Sequence, residues 1–81
     1  MSFARRYGPD LDEAIASFKG GVIEQEPKKC DQLTISIREG KIIITASEEW
    51  IDDVIAWCRK KGEVVYNTAR NPLQVIFTPT S

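Results

Sequence analysis

The chain has 81 residues, of which 42% are hydrophobic and 28% charged, and its formal net charge is −1. Length and composition predict a single folded domain over residues 1–81, and the near-neutral charge argues against a strongly electrostatic nucleic-acid binder. The absence of histidine excludes His-dependent triads and His-bearing metal sites, and two cysteines alone cannot form a structural zinc site. No nucleotide-binding glycine motif or CxxC is present, so we predict a non-enzymatic protein without metal or cofactor.

The first part of the chain predicts one short helix. Met1–Tyr7 is compatible with a short strand or a tail, and Gly8-Pro9 is typical of a break. Asp10 is then expected to cap a helix, with Glu13 completing a capping box. Apolar residues follow at helical spacing: Leu11, Ala14, Ile15 and Phe18. Gly20-Gly21 is expected to end this helix.

The next part predicts a loop and then a hairpin. Val22–Gln25 is compatible with a short strand, and Glu26–Asp31 is predicted to be a loop because it combines a proline with a charge cluster. Gln32–Arg38 alternates apolar and polar residues and predicts a strand. After a turn at Glu39-Gly40, Lys41–Ala46 carries apolar residues on both faces, as expected of a central strand.

The clearest helix signal extends from Ser47 to Gly62. Ser47 is expected to cap it, acidic residues fill its first turn, and Arg59, Lys60 and Lys61 fill its last turn, which matches the helix dipole. Gly62 is expected to stop it in a left-handed conformation. One side of the helix is apolar: Trp50, Ile51, Val54, Ile55, Trp57 and Cys58.

Two further strands, Glu63–Thr68 and Leu73–Thr78, are predicted on either side of a turn at Ala69–Pro72. The resulting fold class is α+β, a two-layer α/β sandwich with two helices on one face of a four- to five-stranded mixed sheet. The helix-facing residues are expected to be Leu33, Ile35, Ile37, Leu73, Val75 and Phe77. The far face is expected to carry Thr34, Ser36, Arg38, Gln74 and Thr78, with Ile43 or Ile76 among them, which leaves room for a homodimer through the sheet.

Trp50 and Trp57 lie at the edge of the apolar side of the main helix, and two interpretations stay open. They form either the border of the core or a partly exposed aromatic patch for a protein partner. In the second case Arg59, Lys60 and Lys61 belong to the same partner-binding surface.

The basic residues allow an alternative partner. If the loops cluster at one end of the sheet, Arg5/Arg6, Lys28/Lys29, Arg59–Lys61 and Arg70 would form a patch for RNA, DNA or an acidic protein. The competing interpretation is scattered solubilising charge, since the chain also carries twelve acidic residues.

The two cysteines have different expected roles. Cys58 lies on the apolar helix side and is predicted to be a small core residue. Cys30 lies in the predicted loop beside Lys28 and Lys29, whose charges would lower its pKa and make it a candidate reactive thiol. The competing interpretation is an incidental loop cysteine, since no partner for it is identified. No apolar stretch approaches 18 residues and no signal peptide opens the chain, so a cytoplasmic location without membrane contact is expected.

From Ile42 to Phe77 the chain resembles the TusA-like (SirA-like) sulfur-carrier family. The resemblance lies in the helix Asp52–Gly62, the following Glu63-Val64-Val65 and the stretch Pro72–Phe77. It implies a small two-layer sandwich with two helices. The family's chemistry rests on a Cys-Pro-x-Pro motif at the start of the first helix, where this chain has Gly8-Pro9-Asp10-Leu11 and lacks both the cysteine and the second proline.

These observations leave three functional hypotheses. The leading one is a small non-catalytic binding or regulatory domain that acts through protein–protein interaction and can form a homodimer. The alternatives are a sulfur-relay or thiol carrier that uses Cys30, and a nucleic-acid-binding module.

Overall fold

Two helices pack on one face of a five-stranded sheet in the computed structural model, which describes residues 2–67 and 73–80. The elements in chain order are α1 (Phe3–Lys19), β1 (Gln25–Cys30), β2 (Leu33–Arg38), β3 (Lys41–Ala46), α2 (Glu48–Arg59), β4 (Gly62–Asn67) and β5 (Leu73–Pro79). The predicted two-layer α+β sandwich is therefore confirmed. The predicted turn Ala69–Pro72, which includes Arg70, lies outside the described residues.

The strand order is β1-β2-β3-β5-β4, and each pair of neighbours is antiparallel. β3 is the central strand, as predicted, but the sheet is not mixed. Helix α2 carries the chain from β3 past the position of β5 to β4. β3 and β4 therefore run parallel to each other, yet they never pair because β5 lies between them in the opposite direction.

The core lies between the helices and one face of the sheet. The predicted helix-facing residues of β2 are buried, as are Val75 and Phe77 of β5, while Leu73 is half-buried at the margin. The helices contribute the opposing apolar side chains: Phe3, Tyr7, Leu11, Ala14, Ile51, Val54, Ile55 and Cys58. α1 covers β2 and β3, whereas α2 covers β3, β5 and β4.

Helix α1 begins at Phe3 and continues through Pro9, so the predicted break at Gly8-Pro9 is wrong. Phe3 and Tyr7 are buried on the same side as Leu11. A proline inside a helix costs about 3 kcal/mol, but burying two aromatic side chains recovers about 1.5–3 kcal/mol each. Pro9 itself is exposed, so the carbonyl that loses its hydrogen bond can be solvated. Asp10 is consequently a helix-interior residue and not a cap.

The predicted loop Glu26–Asp31 is also wrong, because β1 occupies most of it. β1 is an edge strand that pairs only with β2. An edge strand tolerates a proline and needs no alternation of apolar residues, so its sequence resembles a loop. The pairing with β2 is interrupted by a bulge between Gln25 and Lys28, the stretch that contains Pro27.

Helix α2 begins where predicted but ends at Arg59, so Lys60 is its C-cap and Lys61 lies beyond it, not in its last turn. Its two ends also differ from the prediction in how they are stabilised. Ser47 precedes the helix without a side-chain capping bond, and its hydroxyl donates instead to Gln32 Oε1 at 3.1 Å. Gly62 opens β4 and does not adopt a positive φ. A Cβ at Gly62 would clash with the carbonyl oxygen of Thr78 and lie 2.7 Å from the Cα of Pro79. Close approach of two backbones therefore requires this glycine.

Replacing Ile55 by alanine tests the packing of α2 on the sheet. Ile55 is buried in the core, so Ile55→Ala is expected to lower the free energy of unfolding by about 2–5 kcal/mol. Val65→Ala is the control, because Val65 is 65% exposed on the opposite face, and it should change stability by less than about 0.5 kcal/mol. Urea unfolding of both variants measures the difference. A loss below about half a kcal/mol for Ile55→Ala would contradict this packing.

Replacing Pro9 by alanine tests where α1 begins. Because Pro9 lies inside the helix, Pro9→Ala restores a backbone hydrogen bond and is expected to raise the free energy of unfolding by about 1–3 kcal/mol. Pro27→Ala, in the exposed edge strand, is the matched control and should shift stability by less than about 1 kcal/mol. If Pro9→Ala is neutral or destabilising in urea unfolding, the helix begins near Asp10, where a proline is favourable.

Candidate functional site

Trp50 belongs to an aromatic cluster that joins the two helices. Its ring lies 6.0 Å from that of Phe3 and 5.5 Å edge-on from that of Tyr7, between ring centroids. The Arg6 guanidinium lies over the rings of both Tyr7 and Trp50, and it also pairs with the Asp31 carboxylate. Trp50 is half-buried, and its Nε1 is buried without a hydrogen-bond partner among the residues that the structure describes. The extended start of α1 thus covers much of the predicted tryptophan edge.

Trp57 closes the other side of the core. It is half-buried and meets Phe77 edge-on, with 6.5 Å between ring centroids. The Lys61 ammonium lies 5.4 Å from the centroid of the Trp57 ring on the solvent side. These contacts support the core-border interpretation for both tryptophans. Their role in binding a partner stays a prediction.

The basic residues that the structure describes do not gather at one end of the sheet. Arg59 lies over the ring of Tyr66 and Lys60 is exposed, so together with Lys61 they flank the β4 edge. Lys28 lies at the opposite edge, on β1, where its ammonium is 3.3 Å from a Glu13 oxygen and 3.8 Å from an Asp10 oxygen. The Glu13 carboxylate raises the pKa of Lys28. Several of these cations are thus already matched by acidic groups or aromatic rings of the same chain.

The environments of the two thiols differ from the one that a reactive cysteine requires. Cys30 ends the exposed edge strand, half-buried against α1. Burial raises the pKa of the Cys30 thiol and the Asp10 carboxylate adds to the rise, which outweighs the opposite effect of Lys28. The predicted lowering of the Cys30 pKa is therefore wrong. Cys58 is a core residue, as predicted, and burial raises its pKa to about 12.

The sheet face that points away from both helices, here called the open face, is uncovered by any described element of the chain. Strand register arranges its side chains in three cross-strand rows. The middle row, here called the apolar row, consists of Ile43 on β3, Ile76 on β5 and Val65 on β4, which are direct partners in the ladder. Ser36 on β2 extends it at one end. The apolar row therefore crosses three strands and reaches the β4 edge.

A polar row lies on either side of the apolar row. One consists of Lys29, Thr34, Thr45 and Gln74. The other, here called the charged row, contains two sets of ladder partners. Arg38 on β2 lies beside Lys41 on β3, and Thr78 on β5 lies beside Glu63 on β4. The cations of the charged row are on β2 and β3, and its acidic residue is on β4. The open face thus has an apolar centre with a polar border, the arrangement typical of a protein-binding surface.

A groove of about 460 Å³ on the open face is lined by the start of β1, by β2 and β3, and by Gln74 of β5. Ser36 lines this groove and is only 8% exposed. Val65, on the β4 edge strand, is 65% exposed. The open face therefore has a recess toward β1 and a largely exposed valine at its other edge.

The two edges of the sheet are protected to different degrees. The β1 edge carries Pro27, a bulge and two lysines, all of which hinder pairing with a further strand. The β4 edge has no proline, and it exposes Val65 on the open face and 43% of Tyr66 on the helix side. The β4 side is thus the part of the sheet that is open to another chain.

Sequence reasoning found the individual residues of the open face but not their arrangement in rows. Thr34, Ser36, Arg38, Gln74 and Thr78 lie on this face as predicted, and so do both Ile43 and Ile76. Val65 and Glu63 were missed as members of the surface. Alternation along Glu63-Val64-Val65 would have given their face, but the strand order was needed to place them beside Ile76 and Thr78.

Comparison with protein-family models, curated proteins and solved structures finds no match to this chain. The described part of the chain contains no helix that is long and apolar enough to cross a membrane.

Alkaline titration tests the burial of Cys58. Above about pH 9 the thiol of the unfolded chain ionises, whereas the folded thiol, with a pKa of about 12, keeps its proton. The unfolded state then binds fewer protons, so stability falls as pH rises, by about 1.4 kcal/mol per pH unit from this group. The stability advantage of the wild type over Cys58→Ala should therefore shrink between about pH 8 and about pH 10 in urea unfolding with a reductant. A constant difference would contradict the burial of Cys58.

Proposed function

We propose that this chain is a small non-catalytic domain that acts by binding another protein chain through the open face of its sheet. The observation that carries the proposal is the apolar row, Ile43, Ile76 and Val65, which crosses three strands between polar borders. Single exposed apolar residues are common on monomers, but aligned ones with a polar rim are a feature of interaction sites.

The charge pattern favours a protein over a nucleic acid as the partner. Glu63 lies within the open face, and the net charge of the chain is −1. Of the described cations outside the open face, Lys28 lies at the β1 edge and Arg59–Lys61 lie near the β4 edge, and Arg6 and Lys28 already pair with carboxylates. A polyanion would therefore meet no continuous basic surface among the described residues.

The thiol-carrier alternative has weaker support. A sulfur carrier needs an accessible thiolate, which is the nucleophilic form. Cys30 is half-buried beside Asp10, and its raised pKa disfavours that form. Gly8, which stands where the sulfur-carrier family has its cysteine, is buried inside α1. A cytoplasmic location is part of the proposal, because a reducing compartment suits two unpaired cysteines.

A photo-cross-linking residue at position 65 tests the proposed function. Val65 is 65% exposed at the end of the apolar row, so irradiation in the native host is expected to yield a discrete adduct with a protein chain, which mass spectrometry identifies. The same residue at position 56 is the control, because Ala56 is exposed on α2 and lies on the helix layer.

The comparison of the two positions decides the result. A discrete protein adduct at position 65 that is absent at position 56 supports binding through the open face, whichever protein it contains. No adduct at position 65, or the same adducts at both positions, would contradict it.

A further inference from the structure

We infer that the occupant of the open face is a second copy of this chain, packed face to face about a two-fold axis that runs parallel to the strands between β3 and β5. This inference rests on the proposed function and names its partner. Such an axis keeps each residue at its position along the strands and reverses the order of the strands. It sets β3 of one copy against β5 of the other, and β2 against β4.

The charged row is complementary to itself under this rotation. Arg38 on β2 and Glu63 on β4 are exposed and lie in the same cross-strand row. Three strand spacings separate them, roughly 14 Å, so they cannot pair within one chain. Neither forms an ion pair within the described part of the chain. Reversal of the strand order brings Arg38 opposite Glu63 of the second copy, twice in each dimer.

The apolar row is complementary to itself under the same rotation. Ile43 and Ile76 are ladder partners on the two strands that flank the axis. Reversal places Ile43 against Ile76 of the second copy, and the reciprocal contact follows by symmetry. Four isoleucine side chains then meet at the centre of the interface, where two packed sheets exclude water.

The position of the groove fits the same arrangement. Val65 is 65% exposed on the β4 edge strand, and Ser36 of β2 lines the groove. Both belong to the middle row, so the rotation places Val65 of one copy against the groove of the other. The start of β1, which also lines the groove, then lies alongside the second copy's β4 edge.

The size of the surface indicates a weak dimer. Six residues along each of four strands cover roughly 19 by 20 Å, which is roughly 380 Å² of flat sheet in each copy. Standard interfaces bury about 800 Å² per partner. We therefore expect association that depends on protein concentration, in the micromolar range or weaker, and that weakens with salt because two exposed ion pairs contribute.

Charge exchange between Arg38 and Glu63 tests the inference on the purified full chain. Sedimentation velocity from about 10 µM to about 1 mM should show dimers of the wild type. Arg38→Glu places two acidic residues opposite each other, and Glu63→Arg places two basic residues opposite each other, so each variant alone should dimerise at least about tenfold more weakly. An equimolar mixture of the two variants restores both oppositely charged contacts and should recover a heterodimer.

Lys60→Glu provides the matched control. Lys60 is exposed next to the end of α2, away from the open face, and its replacement gives the same net charge as Arg38→Glu. Lys60→Glu alone should dimerise like the wild type. In its mixture with Glu63→Arg only one of the two contacts is oppositely charged and the other places two basic residues together. A heterodimer should therefore form more weakly than in the restoring mixture, although the net charges of the two mixtures are the same. Circular dichroism should show all these surface variants folded.

Several outcomes would overturn the inference. They are a monomeric wild type at about 1 mM, single variants that dimerise like the wild type, and a mixture of Arg38→Glu and Glu63→Arg that does not recover. If neither Arg38→Glu nor Glu63→Arg changes the affinity of the dimer, the two copies pair through the β4 edge instead. A monomeric chain that still gives a specific adduct with a different protein at position 65 would overturn the second copy as partner but leave the proposed function intact. A monomer without any adduct would overturn both.

Discussion

Burial of Ile42 and Ile44 beneath both helices is the constraint on which the rest of the structure depends. β3 is the central strand, and its neighbours β2 and β5 take their register from it. Because side chains alternate along a strand, burying these two isoleucines turns Ile43 to the opposite face. A slip of one residue would exchange the two faces. The same constraint therefore builds the core and orders the open face.

The relation between α1 and the sheet shows how packing overrides local signals. Pro9 favours a helix start, yet the helix begins at Phe3, because Phe3 and Tyr7 are covered by Trp50 and by the core. That extension has consequences at the surface. It covers much of Trp50, and it turns Asp10 toward Lys28 and Cys30 of β1. Trp50 and Cys30, which the sequence suggests as a partner-binding and a reactive residue, are thus partly covered by contacts within the chain itself.

Charge is distributed differently on the two sides of the sheet. On the helix side, Arg6 and Lys28 pair with carboxylates, and Arg59 and Lys61 lie over aromatic rings. On the open face, Arg38 and Glu63 belong to one row and lie too far apart to pair. Charges separated along a row discriminate between partners by position and contribute less through raw affinity. In the proposed complex, these charges would therefore set the orientation of the bound chain more than its affinity.

The local sequence pattern predicted α2, the strands β2, β3 and β5 and most of β4, and for β2 and β5 also the face on which their residues lie. In each of these elements the apolar residues recur at the spacing of its secondary structure, so the local sequence pattern agrees with the burial that the fold imposes. It did not determine the start of α1 or the existence of β1, because Pro9 and Pro27 are tolerated only through contacts made elsewhere in the fold. Nor did it predict which residues lie side by side on the open face. Alternation along each strand gives a face, but only the order β1-β2-β3-β5-β4 aligns Ile43, Ile76 and Val65 and separates Arg38 from Glu63, since α2 carries the chain past β5.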